Sequence, residues 1–119
     1  VNATMPQRSD RLIISVQLVR DVLAIVSERY ATTLDDTSLP YERFVRHLQF
    51  FAQRALYPAA GQINDDALFR IDETKYPCAF SCADAIAAHL SSTYNVVVTD
   101  AEKSYLAYHI VNLLGEPGL

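Results

Sequence analysis

Glycine is scarce in this chain, which has three glycines and five prolines in 119 residues. A many-stranded β fold needs frequent turn residues, so this scarcity favours helices. No stretch approaches the roughly twenty apolar residues of a membrane span. Charged residues precede the first apolar stretch and no cleavage site follows it, so the N-terminus does not resemble a signal peptide. We therefore expect a cytoplasmic protein with no membrane span.

Cysteine is equally rare, since Cys78 and Cys82 are the only two. Two thiols four residues apart, with scattered histidines, do not make a zinc framework. We expect both to be reduced and buried, and we expect no metal and no cofactor. The net charge of -4 argues against direct nucleic-acid binding, which normally requires a basic face.

The length and composition fit one globular domain, because half of the residues are hydrophobic and a fifth are charged. We assign residues 1–9 to a disordered segment, linker or tag remnant. Residues 10–114 form the domain, and residues 115–119 form a C-terminal tail.

The hydrophobic pattern predicts an all-α fold, a compact five-helix bundle. In the first helix, which Ser9 or Asp10 would cap, apolar residues recur at threes and fours. The same spacing predicts a second helix that Pro40 opens, and Thr99-x-x-Glu102 is a capping box for the fifth. The predicted helices cover residues 10–30, 40–57, 65–74, 77–94 and 99–113. The inner side of the first is Leu12, Val16, Val19, Leu23 and Val26.

Two of the three histidines lie in strongly apolar helical segments. His47 lies one helical turn after Arg43 and two turns before Arg54, whose guanidinium groups could pair with phosphate oxygens, and Arg46 precedes it. A neutral imidazole nitrogen can act as a nucleophile or a ligand. His47 is therefore a candidate functional residue.

His109 is the second candidate, because it shares a helix face with Glu102 and Tyr105. A carboxylate or hydroxyl there could fix the imidazole tautomer and leave its other nitrogen free. The alternative is that both histidines only pack, with Glu102 serving as the capping-box residue of its own helix. A metal site of His47, Glu102 and His109 is a further alternative, although the ligand spacing is not that of a clustered site. His89 has no charged neighbour in sequence and is interpreted as structural.

The segments HLQFFAQR at His47 and E-x-x-Y-L-x-x-H-I ending at Ile110 together resemble a known family. They are similar to the two histidine contexts of the PTS regulation domain of BglG/SacY-type transcriptional antiterminators. The resemblance covers roughly residues 10–113, and the sequence around His47 is most similar to the second, C-terminal copy. The sequence departs from the family at Asn112, where many members have arginine.

The resemblance implies a non-enzymatic domain whose phosphoacceptors are His47 and His109. Arg43, Arg46, Arg54, Glu102 and Tyr105 would form the supporting environment. The implied phosphoryl donors are the phosphocarrier HPr, a sugar-specific EIIB domain, or both. Phosphorylation would control a homodimer and an attached RNA-binding domain that is absent from this chain. A DNA-binding activator carrying the same domain, and a helical dimerisation module with structural histidines, remain alternatives.

Overall fold

The computed structural model describes residues 8–57 and 70–117, apart from the side chains of residues 8 and 9. These ranges contain no strand and four helices, namely α1 (Arg8–Tyr30), α2 (Leu39–Leu56), α3 (Pro77–Tyr94) and α4 (Asp100–Leu114). The predicted all-helical fold is confirmed. The predicted count of five helices is wrong for the described residues, where there are four.

The missing element is the predicted helix over residues 65–74. Residues 65–69 and the expected cap Asn64 lie outside the described residues, and residues 70–74 are not helical. The Asp72 carboxylate accepts hydrogen bonds from the Thr74 amide at 3.0 Å and from its hydroxyl at 2.6 Å. An aspartate that bonds the backbone two residues ahead stabilises a turn in competition with a helix.

Three helix ends follow the sequence signals. The Ser38 hydroxyl accepts from the Tyr41 amide at the start of α2, and Pro40 lies in the first turn. The Thr99 hydroxyl caps α4, which ends at Gly115 with φ +76°, a conformation that glycine adopts without strain. The start of α1 was predicted wrongly, since α1 begins at Arg8 and its first turn already contains Asp10.

The start of α3 has a different cap, because Tyr76 at the capping position contributes no side-chain hydrogen bond. Glu116, beyond the end of α4, supplies one instead. Its carboxylate accepts from the amides of Cys78 at 2.7 Å and Ala79 at 3.1 Å. A carboxylate is favourable there because free amides and the helix dipole give the N-terminus a partial positive charge.

The helices pack in a ring in which α1 contacts α2 and α3, and α4 contacts the same two helices. Each helix contributes side chains that are completely or almost completely buried. These are Leu18, Val22, Val26, Phe44, Leu48, Ile86, Leu90, Leu106 and Ile110. Because α2 and α4 are neighbours in the ring, the two segments that carry His47 and His109 face each other.

The predicted inner side of α1 is partly wrong. Val26 and Val19 are buried, but Leu12 is 61% exposed and Val16 is 47% exposed. At 23 residues α1 is five residues longer than α2, which adds about 7 Å of helix at 1.5 Å per residue. Only its second half is packed into the core, whereas the first turns leave their apolar side chains exposed.

The two cysteines occupy different environments. Both are free thiols, as expected, but Cys78 is exposed and only Cys82 is buried. The prediction that both thiols are buried is therefore wrong for Cys78. Burial raises the pKa of the Cys82 thiol to about 11. Within the described ranges, no helix combines the length and the apolar character that a membrane crossing requires.

Candidate functional site: paired histidines between α2 and α4

The inner faces of α2 and α4 fix the position of the two histidines. Phe44 and Leu48 are fully buried on α2, and Ile110 is fully buried on α4. His47 and His109 each precede a buried residue, so each is turned about 100° from it on its helix. This angle leaves both rings at the edge of the core, partly exposed and facing each other.

The two imidazole rings belong to a column of four rings. The ring centroids of His47 and His109 are 4.9 Å apart, with planes inclined by 33°. Tyr105 stacks on His47 with ring centroids 5.2 Å apart, and Phe44 stacks on His109 with centroids 5.6 Å apart. Tyr108 contacts His109 through a ring edge at 5.3 Å. The column holds both rings by their faces and leaves their nitrogens at the edges.

Glu102 links His47 to Arg54. The His47 ring donates from Nε2 to one carboxylate oxygen at 3.2 Å, and the Arg54 guanidinium donates to the other at 2.6 Å. Burial alone would raise the pKa of Glu102, but the hydrogen bond and charge of His47, together with Arg54, bring it below its usual value. In the neutral form of the His47 ring, the ionised carboxylate holds the proton on Nε2, which leaves a lone pair on Nδ1.

His109 has no such carboxylate partner. In the described part of the chain its ring nitrogens make no hydrogen bond, and the buried polar atoms without a partner there belong to Arg11 and Tyr30. The nitrogens of His109 therefore reach solvent. Burial, followed by the charges of His47 and Arg43, lowers the pKa of His109 to about 4, although Glu102 acts in the opposite direction. The ring is neutral at pH 7.

The three arginines expected around the histidines have different roles. Arg54 reaches His47 only through Glu102. Arg43 acts on His109 by its charge. Arg46 instead pairs with Glu42 at 3.8 Å, and both side chains are about two-thirds exposed, so it is not joined to the histidines. The structure therefore brings together six of the seven predicted site residues: His47, His109, Arg43, Arg54, Glu102 and Tyr105.

The sequence of this site is shared with a known family. The family model described as "PRD domain" matches residues 20–113, which contain α2, α3, α4 and both histidines. The chain belongs to the PRD family. The resemblance to this family is thereby confirmed, whereas the similarity to the second, C-terminal copy stays a prediction. This PRD is a regulatory domain and not an enzyme.

Two curated relatives of the PRD are named as antiterminators. The chain is 30% identical over 116 residues to a beta-glucoside operon antiterminator of Dickeya chrysanthemi, covering 98% of this chain and 41% of that protein. It is 32% identical over 110 residues to the transcription antiterminator LicT of Bacillus subtilis, covering 92% and 40%. Protein GlcT of Staphylococcus aureus is 29% identical over 93 residues, covering 78% and 32%. The PRD thus spans about two-fifths or less of the length of these relatives.

The predicted capping box of α4 is only half formed in the PRD. The Thr99 hydroxyl accepts from the Glu102 amide at 3.2 Å, as predicted. The Glu102 carboxylate, which would complete the box, is bound to His47 and Arg54 instead. Glu102 is therefore a member of the histidine site and not only a helix-capping residue.

A second histidine cluster of the PRD was missed in the sequence. His89 on α3 donates from Nε2 to the Asp21 carboxylate on α1 at 2.9 Å, and the Tyr94 hydroxyl donates to the same oxygen at 2.8 Å. The interpretation of His89 as lacking charged neighbours is wrong. Asp21 is 68 residues away in sequence, and no spacing pattern in a single sequence indicates a contact of this kind.

No metal centre is apparent in the described residues of the PRD. They contain no group of three or more histidine, cysteine, aspartate or glutamate side chains arranged to hold a metal ion. In particular, one carboxylate oxygen of Glu102 is bonded to His47 and the other to Arg54, and these bonds compete with coordination of a metal ion. The arrangement instead suits a reaction at an imidazole nitrogen.

Proposed function

We propose that this PRD is the regulatory domain of a transcriptional antiterminator and that the sugar phosphotransferase system phosphorylates it on histidine. The relatives named as antiterminators support the first part. The observation that carries the second part is the pair formed by His47 and His109, with ring centroids 4.9 Å apart. Glu102 binds one nitrogen of His47 and leaves the other available.

The proposed donor is a phosphorylated carrier protein, either HPr or a sugar-specific EIIB domain, and the reaction with a phosphohistidine donor is a direct phosphoryl transfer. The lone pair on Nδ1 of His47 attacks phosphorus while the nitrogen–phosphorus bond of the donor breaks. The donor imidazole leaves with the electron pair, and the Nε2 proton of His47 stays in its hydrogen bond to Glu102. His109, whose neutral ring also reaches solvent, is the second proposed acceptor.

The consequence of phosphorylation is proposed to be a shift in a homodimer equilibrium. Exposed aromatic side chains surround the histidines, namely Phe50 at 60% exposure, Tyr108 at 43% and Tyr105 at 36%. Apolar groups of this kind favour association with a second copy. A phosphoryl group brings about two negative charges to such a surface, and a differential of about 1–3 kcal/mol changes an affinity from several-fold to over a hundredfold.

The dimer surface can be tested by introducing a charge. Phe50→Glu is expected to shift the chain towards the monomer in light scattering coupled to gel filtration. Val97→Glu is the matched control, because Val97 is 85% exposed and lies between α3 and α4, away from the histidines. Equal dissociation by both variants, or by neither, would contradict the proposed surface.

The activity controlled by phosphorylation is proposed to be RNA binding by a further domain of the parent protein. The similarity around His47 favours assignment of this chain as the C-terminal of two PRDs in that protein. The supporting relatives extend well beyond the matched segment, since this chain covers 41% and 40% of two of them. A reporter downstream of an antiterminator target separates this output from that of a DNA-binding activator.

Reconstituted phosphotransfer tests the modification itself. The full chain is incubated with phosphoenolpyruvate, Enzyme I and HPr, and acid-labile phosphate is measured. His47→Ala and His109→Ala are each expected to reduce incorporation, and the double variant is expected to abolish it. His89→Gln is the control and should incorporate as much as the unmodified chain. Undiminished incorporation in the double variant would show that the histidines of the column are packing residues.

A further inference from the structure

The charges around His47 do not balance a phosphoryl group. Arg54 is bonded to Glu102, and Arg46 is paired with Glu42 away from the site. This leaves Arg43 as the nearby guanidinium that no carboxylate engages in the part of the chain that the structure describes. A phosphoryl group carries about 1.5 to 2 negative charges at pH 7, whereas the charges of Glu102 and Arg54 offset each other. One arginine leaves a negative excess.

His109 is the group best placed to receive that excess. Its ring centroid is 4.9 Å from that of His47, and its nitrogens reach solvent. It is neutral before phosphorylation, because burial and the positive charges of α2 disfavour its protonated form. A phosphoryl group on His47 places an anion beside the His109 ring, and a nearby negative charge favours the protonated form of an imidazole.

We propose, on the basis of the phosphorylation of His47 proposed above, that His109 takes up a proton when His47 is phosphorylated and acts as the counter-charge of the phosphoryl group. The proton comes from solvent, and no bond to His109 is formed or broken other than its N–H bond. His109 is thus a positioning residue for phosphohistidine 47, in addition to its proposed role as an acceptor in its own right.

The groups facing His109 from both packed helices agree with this change. From α2 these are His47, Arg43 and Phe44, and from α4 they are Glu102 and Tyr108, while Tyr105 stacks on His47. Arg43 opposes protonation of His109 and Glu102 favours it. At about 5 Å in a partly buried site, each added negative charge is expected to raise the pKa of His109 by about two units.

Nuclear magnetic resonance on the full chain tests the proposal. The protein is labelled with 15N-histidine, carries His89→Gln, and is phosphorylated with phosphoramidate, a small donor that requires no carrier protein. The ring 15N shifts of His109 are then titrated before and after phosphorylation. We expect a neutral ring at pH 6 to 7 in the unmodified chain and a protonated ring at the same pH in the phosphorylated chain.

Two outcomes of this experiment would contradict the proposed protonation of His109. If His109 stays neutral at pH 6 while His47 carries the phosphoryl group, the proposal is wrong, as it is if phosphoramidate modifies only His109. Failure of HPr to transfer phosphate would instead count against the proposed function, because phosphoramidate does not depend on a carrier.

A substitution gives a second measurement without phosphoryl chemistry. His47→Glu places a fixed negative charge beside His109, and His47→Gln is the neutral control of the same size. We expect the pKa of His109 to be higher in His47→Glu than in His47→Gln by about one unit or more. Equal values in the two variants would contradict the proposed coupling.

Discussion

The rings of His47 and His109 are in contact, with centroids 4.9 Å apart and planes inclined by 33°, yet they have different polar partners. His47 donates a hydrogen bond to Glu102 and therefore has a defined tautomer. His109 is held by ring contacts alone, between Phe44 and His47. The pair thus combines one ring oriented by a carboxylate with one ring that is neutral and responsive to nearby charge.

The lowered pKa of His109 predicts a pH-dependent stability. Its pKa is about 4 in the folded chain against 6.5 as the ordinary value, so the unfolded chain takes up the proton first. Proton uptake by His109 therefore does not favour unfolding above about pH 6.5, and the free energy of unfolding falls as the pH is lowered from 6.5 towards 4. We expect the free energy of unfolding from urea titrations to fall by about 1–2 kcal/mol more between pH 7 and 5 in the unmodified chain than in His109→Gln. Equal losses would contradict this assignment.

Glu102→Gln is expected to destabilise the fold and to slow phosphorylation. The amide has no charge to stabilise the Nε2 proton of His47, and it leaves Arg54 without an anionic partner. The expected loss is about 1–3 kcal/mol, typical of hydrogen bonds to charged groups. The matched control is Glu42→Gln, which breaks the exposed pair with Arg46 and should cost about 0.5 kcal/mol or less. Urea denaturation and the initial rate of phosphate incorporation check both variants.

The lowered pKa of Glu102 also predicts that the loss of stability in Glu102→Gln depends on pH. Stability from a carboxylate with a depressed pKa is present above its unfolded value and is lost as the pH falls through the folded value. The difference in stability between the unmodified chain and Glu102→Gln should therefore begin to shrink as the pH falls below about 4.5 and should keep shrinking towards pH 3. A difference that persists undiminished at pH 3 would show that Glu102 acts through packing alone.

Asp21→Asn is expected to weaken the contact between α1 and α3 without affecting phosphorylation. Burial tends to raise the pKa of Asp21, but hydrogen bonds from His89 and Tyr94 bring it below its usual value. Because the Asp21 and His89 side chains are both more than a third exposed, we expect a cost of about 0.5–1 kcal/mol at pH 7. This cost should disappear at acid pH, as the ionised carboxylate is lost. Thermal denaturation at pH 7 and 3 measures this stability cost. Reduced phosphate incorporation in Asp21→Asn would contradict the independence of the Asp21–His89 contact from the His47–His109 site.

Glu116→Gln is expected to destabilise the start of α3. The carboxylate there accepts from two backbone amides, and an amide side chain has neither its charge nor a second acceptor oxygen. A loss of about 0.5–1.5 kcal/mol is typical of such a cap. Hydrogen exchange of the Cys78 and Ala79 amides should accelerate in this variant, whereas Glu73→Gln, in an exposed turn, should leave it unchanged. Unchanged exchange in Glu116→Gln would mean that the carboxylate does not protect these amides.

The sequence predicts most of the histidine site because its information is local. The positions of Phe44 and Leu48 define the inner face of α2, and those of Leu106 and Ile110 define the inner face of α4. Once these faces are known, His47 and His109 must lie at the edge of the core. Their closeness to one another also requires α2 and α4 to be neighbours, which helical periodicity alone does not show.

What the sequence did not reveal depends on contacts between distant segments. The bond from His89 to Asp21 and the cap that Glu116 provides for α3 join residues that share no sequence pattern. The exposure of Leu12 and Val16 depends on how far α1 extends beyond its neighbours, which its hydrophobic spacing does not record. Helical periodicity gives the face of a helix but not the length over which that face is covered.

Whether the paired histidines accept a phosphoryl group is decided by mass spectrometry of the modified chain under non-acidic conditions. After phosphotransfer from phosphoenolpyruvate through Enzyme I and HPr, we expect a phosphoryl group on the peptide that contains His47, on the one that contains His109, or on both. Phosphate found on the His89 peptide alone, or no phosphohistidine in a chain that is folded and fully exposed to active HPr, would contradict it.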